Sequence, residues 1–198
     1  MKRFSTESGR LEAFSDGVLA VIITIMVLEL RPPQGTELHA VLASLPTIAV
    51  YALSFVFIGI YWNNHHHMVR AGSGIDGRAM WANLHLLFWL SLVPFATEWL
   101  GANPRTTGPA VLYGIILLLC AIAYTLLQNA LVAVTGRDTP FAKALAADVK
   151  GKASIAIYVF AIVAGFFLPL VSELAYVAVA IMWLLPDRRL EPIIAAKP

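Results

Sequence analysis

The chain has 198 residues, 59% of them hydrophobic and only 13% charged, with a formal net charge of +2 and a mean hydropathy of +0.76. Soluble domains carry nearer a quarter charged residues, so this balance excludes a water-soluble globule and points to an integral membrane protein, a single domain over residues 1–198 made of several short spans. The basic residues are scattered through connecting segments, which argues against nucleic acid as a partner, and the single Cys120 sits inside an apolar run, which excludes a disulfide framework.

The first apolar segment, about 11–30, contains Phe14-Ser15-Asp16-Gly17 and ends at Glu29 before Arg31-Pro32-Pro33, where proline stops a helix. It starts late after Lys2 and Arg3, contains Asp16 and lacks a small-residue cleavage site, so it reads as a retained span and not as a leader. An ionised Asp16 facing lipid would be costly. Two readings stay open: a partnered carboxylate that fixes helix packing near one membrane boundary, or a carboxylate at the mouth of a cation path. Val21, Thr24, Ile25 and Leu28 follow at i, i+3, i+4 and i+7, one face of a helix. That spacing alone describes a packed or lipid-facing stripe as well as a pore lining, and a threonine within a span commonly bonds back to its own helix.

The second segment, about 38–68, is long, and its part before Pro46 is a candidate for the interface. It closes in Trp62-Asn63-Asn64-His65-His66-His67-Met68-Val69-Arg70. Three successive histidines project about 100° apart on a helix, so they cannot all bind one metal ion, and no resident metal or other cofactor is expected. They read instead as a polar cluster bonding to neighbours such as Asp16 and Arg10. A break at Ala71-Gly72-Ser73-Gly74 precedes the third segment, about 79–100, where Asn83, His85 and Pro94 suit helix-to-helix hydrogen bonds and a kink, and Glu98 and Trp99 an interface belt.

The fourth segment covers about 110–134 and ends at Gly136-Arg137-Asp138-Thr139-Pro140. A weakly polar connector over 141–152 leads to the fifth, about 153–171, and the sixth, whose apolar run is Leu174 to Leu185, short for a span of roughly 20 residues unless it takes in the flanking polar pair Ser172 and Glu173, giving about 172–185. All six are helical candidates. None has the ten-residue alternation of a membrane barrel, and helices or closed barrels are the structures that satisfy their backbone groups in lipid. The expected fold is therefore all-α, with six transmembrane helices.

Six spans put both termini on one side. That side collects twelve of the 14 basic residues: Lys2, Arg3, Arg10, Arg70, Arg78, Arg137, Lys143, Lys150, Lys152, Arg188, Arg189 and Lys197. Arg31 and Arg105 remain opposite. The positive-inside rule then places both termini in the cytoplasm. No nucleotide loop, nucleophile elbow or paired-carboxylate site suggests an enzyme, and no threonine-valine-glycine-tyrosine-glycine loop is present to coordinate potassium.

Arg10-Leu11-Glu12-Ala13-Phe14-Ser15-Asp16 resembles the R-x-x-x-F-S-D signature of the lysosomal potassium channel family, transmembrane protein 175, and its bacterial relatives. Trp62, with His65 and His66 three and four residues on, is similar to the second-span motif of that family. The resemblance implies a homotetramer of six-helix subunits in the cell membrane, with the first helices around a central pore. Potassium would be the permeant ion, modestly preferred over sodium, passing rings of apolar side chains without a carbonyl filter. Carried over by position, the constriction falls on Val21, where isoleucine or leucine is usual, then on Thr24, Ile25 and Leu28. Arg10, Ser15 and Asp16 match residues that lock the first helix to Trp62, His65 and His66. The competing reading is a proton-coupled secondary transporter using Asp16 and the histidines, but the two halves show no inverted repeat with interrupted helices. A metal-dependent membrane enzyme built on His65, His66 and His67 is a further alternative.

Overall fold

The computed structural model describes residues 2–33, 35–184 and 191–195. Nine helices and no strand form among them. Leu185, which closes the sixth segment, and Arg188, Arg189 and Lys197 of the charge count lie outside the described residues.

Helix α1 spans Lys2–Leu28, and its part from Ser8 is apolar enough to cross a membrane. Those 21 residues rise about 31 Å, the thickness of a hydrocarbon core. Helix α2, Leu38–Ala71, runs unbroken through Pro46, so the stretch before the proline belongs to the same long helix. The turn after the proline is held from outside: Thr47 Oγ1 donates to the Gly101 carbonyl at 2.9 Å.

The third segment divides into α3, Gly77–Ser91, and α4, Val93–Ala102. Pro94 has no N–H to offer the preceding turn, and the helix re-forms with Ala96 N bonded to Leu92 O at 3.2 Å. Asp76 opens α3 by accepting from Ala79 N, a side-chain cap of the usual kind. Helix α5, Thr107–Thr135, ends at Gly136, whose φ of 105° lies where glycine alone is unstrained.

The connector forms a short helix α6, Pro140–Ala146, capped by Thr139 with Pro140 at its first position. Asp148 then caps α7, Val149–Gly165, by accepting from Gly151 N. The break between the last two apolar segments falls at residues 166–168, ahead of α8, Pro169–Leu184. The sequence places it at Ser172 because that serine and Glu173 look like an interruption. In the fold Ser172 is buried and donates to the Tyr176 hydroxyl at 2.7 Å, so it needs no water. A last short helix α9, Glu191–Ala195, lies against α2.

Each of the six apolar segments is thus helical. Four helical stretches are long and apolar enough to span a bilayer: Ser8–Leu28, Leu38–Ala71, Gly77–Ala102 and Thr107–Thr135. Helices α7 and α8, at 17 and 16 residues, are shorter. Helix α5 is central and packs on α3, α4, α7 and α8. Its Tyr113 hydroxyl lies 2.9 Å from Ser54 Oγ of α2, which is 2.7 Å from Thr97 Oγ1 of α4. These buried hydroxyls are therefore paired across helices, as a low-dielectric interior requires. Gly114 brings α5 close to α8: a methyl there would overlap the Tyr176 hydroxyl and meet Ile162 Cγ1 at 3.0 Å.

Candidate functional site

Helix α1 has two unlike faces. Ser15, Leu19, Ile22 and Met26 are buried, at the 4-3-4 spacing that keeps side chains on one stripe. This stripe packs chiefly on α2, α3 and α4. Turned about 140° away at 100° per residue are Val21, Ile25 and Leu28, 55%, 43% and 79% exposed, together with exposed Thr24. All four residues expected at the constriction thus share the face that the subunit itself leaves uncovered. The Thr24 hydroxyl donates to the Val21 carbonyl at 2.8 Å, the back-bond anticipated for a threonine in a span. Its proton is committed, while the oxygen lone pairs remain on the exposed face.

Beside that face an open groove runs between α1 and α4. Phe14, Gly17, Val21 and Ile25 form one wall and Pro94 and Phe95 the other, with Glu29 and Glu98 also lining it. Glu98 is 3.8 Å from the Arg31 guanidinium.

The buried side of α1 carries a directed chain of hydrogen bonds. Asn83 Nδ2 donates to Ser15 Oγ at 2.9 Å, and Ser15 Oγ donates to the Leu11 carbonyl at 2.9 Å. The Asn83 oxygen is then the acceptor for His65 Nε2 at 2.7 Å, which assigns the proton of His65 to Nε2. Its Nδ1 is a buried side-chain atom with no hydrogen-bond partner among the described residues. Three helices, α1, α2 and α3, meet in this chain.

A second set of contacts lies nearer the surface. Trp62 Nε1 donates to Asp16 Oδ1 at 3.0 Å. His66 Nδ1 pairs with Glu12 Oε1, while His66 Nε2 accepts from the Arg70 guanidinium at 3.3 Å. This is the pattern of a neutral imidazole with its proton on Nδ1. His66 also stacks on Trp62, ring centroids 6.3 Å apart.

Five of the six residues expected to lock the first helix therefore contact other helices: Ser15, Asp16, Trp62, His65 and His66. Arg10 does not. It is exposed, borders a surface groove with Phe14, Met80 and Asn83, and makes no hydrogen bond or ion pair among the described residues. The pairing anticipated between the histidines and Asp16 or Arg10 is also distributed differently. Asp16 goes to Trp62 and His65 to Asn83, because Asp16 is turned about 100° around α1 from Ser15, off the buried stripe that holds Leu11 and Ser15 and onto a half-buried flank. Asn64 bonds its own helix at Ile60 O, and His85 accepts from Trp89 Nε1. Asn83 and Glu12 are the members the sequence reading left out of the lock. The signal for Asn83 was present, an amide within an apolar helix, but its partners were not. Among the described residues no group of three His, Cys, Asp or Glu side chains could hold a metal ion.

Comparison with known proteins bears directly on this geometry. The family model described as "Endosomal/lysosomal potassium channel TMEM175" matches residues 10–94, the stretch that holds both faces of α1 and the hydrogen-bonded chain. A protein named as a potassium channel in Chryseobacterium sp. (strain P1-3) is 48% identical over 183 residues, 92% of this chain and 95% of that protein. Another so named in Streptomyces collinus is 36% identical over 126 residues, 60% of this chain and 61% of that one. Among solved structures, the crystal structure of a lysosomal potassium-selective channel TMEM175 homolog from Chamaesiphon minutus superposes with a TM-score of 0.80. It is 29% identical and is matched over 91% of this chain and 97% of that one.

Proposed function

This chain belongs to the TMEM175 family of potassium channels, and on that premise we propose that it is a potassium channel whose pore is lined by α1 from each of four subunits. It is not an enzyme: what it provides is a path for an ion across the bilayer. In this reading Val21, Thr24, Ile25 and Leu28 face the axis, and their apolar rings hold the pore closed to ions by excluding water. Thr24 oxygens supply part of the coordination an ion loses on entering, which favours potassium modestly over sodium. The whole chain acts as one six-helix channel domain in the cell membrane, with α7 and α8 as the two shorter spans and both termini in the cytoplasm.

The observation that carries the proposal is the division of α1. The face opposite its packed stripe holds all four residues expected at the constriction, and the described residues of the subunit leave it exposed. An apolar face of that kind on a helix with only one packed flank fits an assembly in which α1 is inside. The chain of Asn83, Ser15 and His65 then holds each α1 at a fixed rotation, so the four side chains stay aimed at the axis.

The test is ion flux in liposomes containing the purified chain, under a potassium gradient and then a sodium gradient of equal size, together with the mass of the oligomer in detergent. A non-saturating potassium flux exceeding the sodium flux, from a particle of four subunits, is the expected result. Saturating flux that collapses with a proton gradient would replace the channel with a carrier.

A further inference from the structure

We propose that the furrow between α5 and α7 binds an anionic glycerophospholipid, with Lys152 and Asn129 holding the headgroup and the outer faces of the two helices holding an acyl chain. This site is distinct from α1 and does not depend on the pore reading. Thr125, Asn129 and Val132 form one wall, Leu145 of α6 closes the end, and Lys152 and Ile155 form the other wall. Because α6 turns the chain straight back, the last part of α5 and the first turn of α7 lie at the same end of the bundle, and their polar side chains arrive at one level.

Lys152 Nζ reaches only a neutral acceptor, the Ala146 carbonyl at 3.3 Å, and makes no ion pair among the described residues. Asn129 is exposed and makes no hydrogen bond among the described residues. Arg137 and Lys143 are exposed on the same connector and also make no ion pair among the described residues. The carboxylate that lines the furrow, Asp148, is buried and turned onto its own helix start, accepting from Gly151 N at 2.9 Å and from Gln128 Nε2 at 3.3 Å.

The two walls continue in the same sense. On α5 the exposed residues Ile122, Leu126 and Asn129 follow at i, i+4 and i+7. On α7 the exposed residues Lys152, Ala156, Val159 and Val163 follow at i, i+4, i+7 and i+11. Each stripe is polar at the connector end and apolar beyond it. A soluble anion would use the polar end and leave both apolar stripes bare. A phospholipid satisfies both, and basic pockets between transmembrane helices are the places where anionic headgroups bind.

Native mass spectrometry of the full chain in detergent tests this, with dioleoylphosphatidylglycerol and dioleoylphosphatidylcholine added at equal concentration. The expected result is preferential retention of phosphatidylglycerol, reduced about fivefold by Lys152→Gln, the effect of one basic residue at an anionic surface, and reduced further by Asn129→Leu. Arg105→Gln, at the start of α5 and so the opposite end of the bundle, should leave retention unchanged. Equal retention of the two lipids would overturn the proposal. So would a preference that survives the Lys152→Gln, Asn129→Leu double variant, or one that Arg105→Gln removes equally. Displacement of the lipid by millimolar glycerol phosphate would reassign the furrow to a soluble anion. The Asn129→Leu variant alone, which alters no charge, keeps the test valid should Lys152→Gln fail to fold.

Discussion

Asn83 joins two helices through its two amide atoms: its nitrogen donates to Ser15 Oγ of α1 at 2.9 Å while its oxygen accepts from His65 Nε2 of α2 at 2.7 Å. Both partners and the amide itself are buried. Replacing it by leucine keeps the branching at Cγ but leaves the His65 N–H with no acceptor. A buried donor stranded in this way costs about 1–3 kcal/mol. Asn83→Leu is therefore expected to lower the thermal unfolding midpoint of the detergent-solubilised protein, while Asn83→Gln, with the same groups on a longer stem, should fall between. A midpoint unchanged in Asn83→Leu would mean that the chain of bonds contributes no stability.

The Trp62 indole and the Asp16 carboxylate are a separate connection between α1 and α2, 3.0 Å apart and partly open to solvent. Because they touch each other, substitutions at the two positions should not be additive. Trp62→Phe and Asp16→Ala, alone and together, are expected to show a coupling of about 1 kcal/mol in unfolding free energy. The same cycle between Asp16 and His65, whose hydrogen bonds go to different partners, should show a smaller one.

Much of this arrangement was legible in the residues. The six apolar runs gave six helical segments, and the spacing of Val21, Thr24, Ile25 and Leu28 placed them on one face, because helical period is a local property. What spacing could not decide was which face of α1 is covered, since Leu19, Ile22 and Met26 form an equally apolar stripe. That choice is made by α2, α3 and α4, which are distant in sequence. Asp16 meets Trp62, as the resemblance implies, but the partner of His65 was out of reach for the same reason: a histidine run advertises its chemistry, whereas the amide that receives it lies on another helix. The break at residues 166–168 was missed because Ser172 looks like a loop residue until its tyrosine partner one turn on is seen.

Gly114 tests the packing of the half of the bundle remote from α1. A methyl at this position would overlap the Tyr176 hydroxyl, which is fixed at both sides, accepting from Ser172 and donating to the Ala110 carbonyl at 2.9 Å. Neither the ring nor the helix backbone can yield cheaply. Gly114→Ala should destabilise the protein by about 1–3 kcal/mol, the usual effect of overpacking a core, and Gly114→Ala with Tyr176→Phe should recover part of that loss. No recovery in the double variant would place the strain at Ile162 instead.

Thr24 separates selectivity from folding. Its proton is spent on the Val21 carbonyl, so only the oxygen lone pairs are free to meet a cation. Thr24→Val preserves shape and removes those lone pairs. Potassium flux is expected to persist with a reduced potassium-to-sodium permeability ratio, read from reversal potentials in planar bilayers under bi-ionic conditions. A ratio identical to that of the native chain would remove Thr24 from selectivity and leave the apolar rings as its source.

Val21 sets the opposite lever. It is the smallest of the three apolar side chains, Val21, Ile25 and Leu28, on the exposed face of α1. Ion passage through an apolar ring is limited by whether water fills it, so the barrier should follow side-chain volume in both directions. Val21→Ala is expected to raise potassium flux on the order of tenfold, the effect of about 1.4 kcal/mol on the barrier, and Val21→Ile should lower it. Liposome flux measured across alanine, valine and isoleucine at this one position reads the trend directly. A series without order in volume, with Ile25→Ala or Leu28→Ala instead raising flux, would move the limiting ring toward the Glu29 end of the helix, where the bulkier side chains stand.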